Sequence, residues 1–320
     1  YIRTRERFGL HCRHQEGGFL MAGMPPATVE VRNAVVQRLV RDQRPDLGDC
    51  PLARVANGWD NATFRLGDDL AVRLPRRAEA VPLILHEQRY LPDIARRSPV
   101  AVPVPVHAGR PTSDFPWPWS IVRWVPGAAA ADVGQAGRGQ AAEGLADFLL
   151  SLHVPAESGV PVNPFRGVPL TDRDAVLMER LGDHERYPQA AALRAVWAQA
   201  CAAKAWDGPA MMLHGDLHPG NILLADDGSL AGVIDFGDVG AGDPAVDLAV
   251  GCLMFDAGAR RRFMRAFGSA TDGDTWVRAR GWALILSTAM LSNSDDNPRM
   301  FAVGKFGIRQ ILDDGLSLQL

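Results

Sequence analysis

The sequence predicts an α+β fold made of two lobes, a small β-rich lobe followed by a larger helical lobe. Three observations support this prediction. Short strand-like apolar runs are concentrated before residue 126, whereas apolar residues at helical spacing dominate the chain after it. The third observation is a compact strand-rich island at residues 211–239, which interrupts the helical part of the chain.

The first lobe is expected to cover residues 28–125 and to follow a tag or disordered arm at residues 1–27, which shows no sustained hydrophobic period. Its first helix is predicted over residues 28–42, with Thr28 as candidate N-cap. Strands are predicted at residues 52–55, 62–66, 70–74 and 120–125, and a second helix at residues 77–95. The Pro- and Trp-rich stretch 102–119 is expected to be extended or looped.

The second lobe is expected to cover residues 126–320. It follows Pro126-Gly127, a turn signal that marks the expected hinge between the lobes. Helices are predicted at residues 140–153, 190–206, 243–255, 260–267 and 276–291.

Composition narrows the classes of function. The chain has 320 residues, 47% of them hydrophobic, and a formal net charge of −3, so no global basic field favours nucleic acid or an anionic membrane. Its four cysteines form no Cys-x-x-Cys pair, which disfavours a zinc site and suggests free thiols in a reducing, cytoplasmic compartment. No apolar run reaches the roughly 18–20 residues that span a bilayer. Both a monomer and a dimer remain open.

The strand-rich island carries the candidate chemistry. Apolar runs at residues 222–224 and 230–234 flank Asp226-Asp227-Gly228, which predicts a hairpin. The hairpin brings Asn221, at the start of its first strand, close to Asp235, at the end of its second. Asp216 lies in the tight His-Gly-Asp loop just before.

Packed carboxylates repel each other unless a cation or a proton lies between them. Oxygen ligands suit Mg²⁺, which proteins hold through one or two carboxylates while phosphate and water complete its octahedron. Phosphoryl transfer needs such a metal and a group that orients the attacking hydroxyl. The island therefore predicts a Mg²⁺-dependent phosphoryl-transfer site.

The motif His214-Gly-Asp216-Leu-His-Pro-Gly-Asn221, followed by Ile-Asp235-Phe-Gly-Asp, resembles the aminoglycoside phosphotransferase family. Gly58-Trp-Asp-Asn61, followed by Leu-Gly-Asp-Asp-Leu-Ala-Val-Arg-Leu-Pro, is similar to antibiotic kinases of that family. The resemblance covers most of residues 28–310. It implies a bilobal protein-kinase-like fold and a kinase that uses Mg²⁺ and ATP or GTP.

The resemblance also implies roles for individual residues. Asp216 would be the catalytic base or hydroxyl-orienting residue, and Asn221 and Asp235 would be the metal ligands. His214 would brace the catalytic loop. The nucleotide-binding residues would be Gly58 and Asn61 at the phosphate loop, Arg73 and Glu87 as an ion pair, and Val122 and Trp124 through backbone contacts to the base.

The chain departs from the family pattern on the third strand, where Arg73 stands in place of the usual lysine. Arginine is always charged and binds phosphate in a fork, so it can fill the role with altered geometry.

The acceptor is expected to be a hydroxyl of a small molecule because little chain separates Asp235 from the next predicted helix, which leaves no room for a peptide platform. The resemblance favours an antibiotic, and hence resistance. A cationic antibiotic would use carboxylates such as Asp238, and a neutral one would use aromatic walls. A metabolic kinase acting on choline, homoserine or a sugar stays open, as does an inactive nucleotide-binding regulatory module.

Overall fold

A computed structural model of the chain describes residues 28–57 and 60–313, without the side chains of Ala56 and Asn57. Gly58 and the expected arm at residues 1–27 lie outside the described residues. The chain forms an α+β protein with a bilobal, protein-kinase-like architecture: a five-stranded sheet with two helices comes first, and a larger helical part follows.

The first lobe is built on an antiparallel sheet whose strand order is β1-β2-β3-β5-β4. Its strands are β1 (Leu52–Asn57), β2 (Asn61–Leu66), β3 (Leu70–Pro75), β4 (Pro105–Gly109) and β5 (Trp119–Arg123). Gly67 has a φ of +58° in the turn between β2 and β3, a conformation that glycine adopts readily. Strand β3 is central in this sheet, so Arg73 is held between two neighbouring strands.

Two helices flank this sheet, α1 (Asn33–Gln43) and α2 (Val81–Arg97). Helix α1 buries Val36, Leu39 and Val40 in a core shared with Phe64 and the fully buried Trp119. Helix α2 turns a different set of residues inward, and its charged Glu87 is buried among them. A charge is buried only when it has a partner, so Glu87 must be paired.

The second lobe contains eight helices among the described residues: α3 (Ala142–Leu152), α4 (Asp174–Arg180), α5 (Ala190–Ala202), α6 (Ala245–Leu248), α7 (Val250–Met254), α8 (Ala257–Ala266), α9 (Gly273–Asn293) and α10 (Pro298–Asp313). Helix α9 is buried along most of its length and packs against α5, α6 and α10. Such a helix forms the core of a lobe. In the described ranges, no helix is long and apolar enough to cross a membrane.

Two small sheets in the second lobe carry the loops of the candidate site. Strands β6 (Ala128–Ala129), β8 (Ile222–Leu224) and β9 (Leu230–Val233) form one, and β7 (Met211–Leu213) pairs with β10 (Gly240–Gly242) in the other. The predicted hairpin is confirmed: β8 and β9 pair antiparallel, and Gly228 turns with a φ of +81°.

Several predicted boundaries were wrong. Helix α1 begins at Asn33 and not at Thr28, and Arg32 occupies its N-cap without a side-chain hydrogen bond. The helix predicted at residues 243–255 is divided into α6 and α7. Strand β4 agrees with the extended or looped conformation predicted for residues 102–119, although no strand was specified there, and α4 and α10 were not predicted. Tertiary packing, which overrides local propensity, explains these differences.

The first lobe generates a prediction about Gly109 in β4. A Cβ at this position would lie 2.0 Å from the ring of Trp119, whereas a Cβ at Gly134 would meet nothing within 4 Å. We expect Gly109→Ala to lower the free energy of unfolding by about 1–3 kcal/mol through overpacking. Urea denaturation would measure this. Gly134→Ala is the matched control, expected within about 0.5 kcal/mol of wild type. Equal stability of the two variants would contradict the prediction.

Candidate active site

The loop between β7 and β8 is anchored by the fully buried Asp247 of α6. Its Oδ2 accepts the backbone N–H of His214 at 2.8 Å, and its Oδ1 accepts that of Gly215 at 2.9 Å. His153 Nε2 lies 3.1 Å from Oδ2. Burial acts to raise the pKa of Asp247, but His153 and these contacts hold it below its usual value. Asp247 therefore anchors the backbone of the loop.

His214 braces the loop from inside, as the resemblance implied. Its Nδ1 accepts the backbone N–H of Asp216 at 3.3 Å, so its hydrogen is on Nε2, which donates to the carbonyl of Ile234 at 3.0 Å. The ring also packs against Phe236, with centroids 4.7 Å apart. One imidazole thus ties the loop of Asp216 to the strand end that carries Asp235.

The Asp216 carboxylate is partly exposed and lies between two basic side chains. Its Oδ1 accepts a hydrogen bond from Arg166 Nη2 at 3.2 Å, and its Oδ2 lies 3.6 Å from His218 Nε2. Burial acts to raise the pKa of Asp216, but His218 and then Arg166 outweigh it and hold that pKa well below its usual range. Asp216 is therefore ionised at neutral pH.

Asn221 is buried and is oriented by its own loop. Its Nδ2 donates to the carbonyl of Asp216 at 2.9 Å, and its backbone carbonyl accepts the N–H of Ile234 at 2.9 Å. Because the amide nitrogen is used in this way, the side-chain oxygen is the atom that Asn221 can offer to a cation.

Asp235 stands at the end of the hairpin with a φ of +67°, the only positive φ of a non-glycine residue in the described chain. Its Oδ1 accepts a hydrogen bond from Arg73 Nη2 at 2.8 Å, and its side chain is 50% exposed. Residues in this left-handed region cluster at functional sites, where the surrounding structure holds them. The two lobes therefore meet through Arg73 and Asp235.

The expected ion pair between Arg73 and Glu87 is present. Arg73 Nη2 lies 3.0 Å from Glu87 Oε1, and the Glu87 side chain is only 1% exposed. Burial raises the pKa of Glu87 to about 7, although the Arg73 guanidinium acts against it. Burial alone would lower the pKa of Arg73, but Glu87 and Asp235 together raise it above its usual value.

The remaining residues that were predicted to bind nucleotide lie in or beside the sheet of the first lobe. Asn61 begins β2 and is buried, and its Oδ1 has no hydrogen-bond partner among the described residues. Val122 pairs with Ala71 within the sheet. The N–H of Trp124 donates to the carbonyl of Asp69 at 2.8 Å, so a base contact from Trp124 would use its carbonyl.

The donor set fits Mg²⁺. Asn221 and Asp235 offer an amide and a carboxylate oxygen, and Asp235 already attracts the Arg73 cation. No group of three or more His, Cys, Asp or Glu side chains within the described ranges could hold a metal alone. Such a sparse set suits Mg²⁺, which takes one or two protein carboxylates together with substrate phosphates.

A further carboxylate, Asp238, lies beside this group. Its Oδ1 accepts a hydrogen bond from Asn163 Nδ2 at 3.0 Å. Burial raises the pKa of Asp238 to about 7, and the negative charges of Asp216 and Asp235 act in the same direction. Asp238 therefore takes up a proton more readily than Asp216.

Sequence reasoning missed Arg166, whose guanidinium contacts the Asp216 carboxylate. Besides that contact, its Nε donates to the carbonyl of Gly215 at 3.0 Å. Arg166 precedes Asp216 by 50 positions and lies in a Pro-rich stretch without a period, so one sequence carries no signal that would pair them.

Three tryptophans of the second lobe that could have formed an aromatic wall for the acceptor are core residues. Trp197, Trp276 and Trp282 are buried in the hydrophobic core of the second lobe. A cavity of about 270 Å³ is lined by Trp206, Leu170 and Arg278, among others, but by none of the three residues Asp216, Asn221 and Asp235. This cavity is therefore separate from the candidate site.

The sequence of this chain is similar to that of a protein family and to that of an individual known protein. Residues 51–282 match the family described as "Phosphotransferase enzyme family". The uncharacterized protein YcbJ of Bacillus subtilis (strain 168) is 30% identical over 73 residues, which are 23% of this chain and 24% of that protein's length. The YcbJ match is thus confined to about a quarter of either chain.

Solved structures share the fold. The GDP complex of wild-type aminoglycoside 2'-phosphotransferase-IIIa matches with a TM-score of 0.64 and 20% identity, over 88% of this chain and 100% of that one. The macrolide 2'-phosphotransferase MphH from Brachybacterium faecium matches with a TM-score of 0.58 and 22% identity, over 85% and 97%. The streptomycin-ATP-APH(2")-IIa ternary complex matches with a TM-score of 0.56 and 17% identity, over 89% and 97%.

The raised pKa of Asp238 predicts a pH dependence of stability. Between about pH 4 and pH 7 the folded chain keeps a proton that the unfolded chain has lost, so stability falls as the pH rises through this range. The Asp238→Asn substitution removes the titrating group, so the variant does not lose this stability as the pH rises. We therefore expect the free energy of unfolding of the variant, relative to wild type, to increase with pH by at most about 1.4 kcal/mol per unit.

Urea denaturation without added metal at several values from pH 4.5 to pH 7.5 would measure this difference. Asp296→Asn, at an exposed position, is the control and should follow wild type. A constant difference between Asp238→Asn and wild type across the range would contradict the prediction.

Proposed function

Because the chain belongs to the phosphotransferase enzyme family, we propose that it is a kinase that transfers the γ-phosphoryl group of ATP or GTP to a hydroxyl of a small molecule. Mg²⁺ is the proposed metal, and an antibiotic is the proposed acceptor. The main supporting observation is that the loop from Asp216 to Asn221 lies next to Asp235. The Asp235 carboxylate contacts Arg73, which also contacts Glu87.

Asp216 is the proposed hydroxyl-orienting residue. Its carboxylate is ionised and partly exposed, so it can accept a hydrogen bond from an incoming hydroxyl. In a loose phosphoryl-transfer transition state the hydroxyl need not be deprotonated early, so orientation matters more than basicity. A carboxylate with a low pKa suits this role because it remains an acceptor throughout the neutral range.

Arg73 is the proposed cation for the nucleotide phosphates. Its guanidinium is buried on β3, and its Nε has no hydrogen-bond partner among the described residues, which leaves a donor for a phosphate oxygen. Asn221 and Asp235 would hold Mg²⁺, which when bound neutralises charge on the phosphates. Asn61, Val122 and Trp124, together with Gly58, are proposed to complete the nucleotide site.

A small acceptor is favoured by the short connection after Asp235. Strand β10 and then α6, which begins at Ala245, follow almost at once, so no long segment is available to dock a peptide. Solved structures with this fold include phosphotransferases in complex with kanamycin, gentamicin and streptomycin, and a macrolide phosphotransferase. These relatives support an antibiotic as the first class of acceptor to test.

We expect the purified chain to transfer phosphate from ATP or GTP to at least one antibiotic when Mg²⁺ is present. The assay would use kanamycin, gentamicin, streptomycin and a macrolide, with choline, homoserine and simple sugars as metabolic acceptors. Mass spectrometry would detect the added phosphate. Asp216→Ala should lower kcat by about 10²–10⁴-fold because the hydroxyl loses its orienting acceptor.

Asp227→Ala, in the exposed turn between β8 and β9, is the matched control and should retain wild-type activity. Phosphorylation of a metabolite alone would replace the antibiotic by a metabolic acceptor. Nucleotide binding without transfer to any acceptor would overturn the kinase proposal in favour of a regulatory module.

The buried ion pair generates a prediction about Arg73. Arg73→Met should weaken binding of Mg-nucleotide by about tenfold or more, because the charge that faces the phosphates is lost. Arg73→Lys keeps the charge but not the fork of donors, so it should weaken binding less than Arg73→Met does. Isothermal titration calorimetry with a non-hydrolysable nucleotide would measure both affinities.

Arg73→Met also deprives the buried Glu87 of its cationic partner, so we expect this variant to be less stable than wild type and its Glu87 to take up a proton more readily. The double variant Arg73→Met, Glu87→Gln removes the titrating carboxyl group and separates stability from binding. If this double variant binds nucleotide as tightly as wild type, Arg73 does not contact the phosphates.

A further inference from the structure

A segment that the sequence left unassigned, residues 161–167, lies along the candidate site. The carbonyl of Pro161 accepts the N–H of Ala241 at 2.9 Å, and that of Gly167 accepts the N–H of Asp243 at 3.0 Å. These two hydrogen bonds join the ends of the segment to β10 and to the residue after it. The segment is therefore fixed relative to the Asp235–Asp243 stretch.

Side chains of this segment reach both acidic loops. Asn163 donates to Asp238 at 3.0 Å, and Arg166 donates to the Asp216 carboxylate at 3.2 Å and to the Gly215 carbonyl at 3.0 Å. Because one guanidinium contacts the carboxylate and the backbone beside it, the fork fixes the orientation of Asp216 as well as its position. The Arg166 side chain is 24% exposed, so solvent screens this contact only in part.

The two carboxylate oxygens of Asp216 are therefore not equivalent. Oδ1 accepts the hydrogen bond from Arg166, whereas Oδ2 lies 3.6 Å from His218 Nε2, beyond ordinary hydrogen-bond distance. Oδ2 is the oxygen that can accept a hydrogen bond from a substrate without displacing Arg166.

We propose that Arg166 is a positioning residue of the phosphoryl transfer: it holds Oδ1 of Asp216 so that Oδ2 receives the acceptor hydroxyl. This inference rests on the proposed function. Arg166 acts through Asp216, so its loss affects the catalytic step and leaves nucleotide binding unchanged. Small misplacements of an orienting group cost as much as about 10²-fold in rate, which makes the effect measurable.

The chain offers a matched control in Arg173. This residue is also partly buried and its guanidinium stacks over the Phe165 ring at 5.4 Å, but the structure shows it in no hydrogen bond or ion pair with Asp216. A general effect of removing an arginine near this segment would appear in Arg173→Ala as well. An effect specific to the Asp216 contact would appear only in Arg166 variants.

The test is a kinetic double-mutant cycle on the full chain, using the acceptor found for wild type. We expect Arg166→Ala to lower kcat by at least tenfold, with the affinity for Mg-nucleotide within twofold of wild type. Arg166→Lys should be intermediate because a single ammonium cannot keep both contacts. The double variant Arg166→Ala, Asp216→Asn should be no slower than Asp216→Asn alone, within about threefold, because the two residues act as a unit.

Added guanidinium at millimolar concentration should restore part of the kcat of Arg166→Ala and none of that of Asp216→Asn, which a purely structural role would not produce. If Arg166→Ala does not fold, as judged by its melting temperature, Arg166→Lys carries the same cycle. A kcat within twofold of wild type, rate losses that multiply in the double variant, or an equal loss in Arg173→Ala would overturn the proposal. A wild-type chain that transfers no phosphate contradicts the proposed function itself, before any variant is measured, and the role of Arg166 falls with it.

Discussion

The geometry of the site depends on one buried carboxylate, that of Asp247. It accepts the backbone N–H groups of His214 and Gly215 and is paired with His153, so three hydrogen bonds meet on a side chain with no exposed surface. A carboxylate in such a place is stabilised only while all its partners remain. The backbone that carries Asp216 is therefore held in place by a side chain in the core of the second lobe.

The link between the lobes has a different physical basis. Arg73 contacts Glu87 in its own lobe and Asp235 in the other, so one cation faces two carboxylates. A lysine would present a single compact ammonium, whereas the guanidinium can serve both partners and still retain an Nε donor. The arginine that departs from the family pattern thus suits a site in which the same group joins the lobes and, as proposed, binds the phosphates.

The sequence predicted those parts of the site that are close along the chain. A hairpin must bring Asn221 and Asp235 together, and its turn at Gly228 could be predicted from the local sequence. The pairing of Arg73 with Glu87 came from the resemblance. The contact between Arg166 and Asp216 could not be predicted, because it depends on how a Pro-rich segment without a hydrophobic period packs against β10.

The packing of residues 161–167 against β10 affects two carboxylates at the centre of the site, Asp216 and Asp238. The negative charge of Asp216 raises the pKa of the nearby Asp238, because two close carboxylates cannot both be ionised without a cost in free energy. His218 and Arg166 stabilise the charge on Asp216. Asp238 accepts a hydrogen bond from the neutral amide of Asn163, and burial together with the charge of Asp216 raises its pKa to about 7. Pairs whose pKa values are driven apart in this way assign the roles of the groups. The negative charge is concentrated on Asp216, the residue that we propose to accept the hydroxyl. The segment at residues 161–167 provides a partner for each of the two carboxylates.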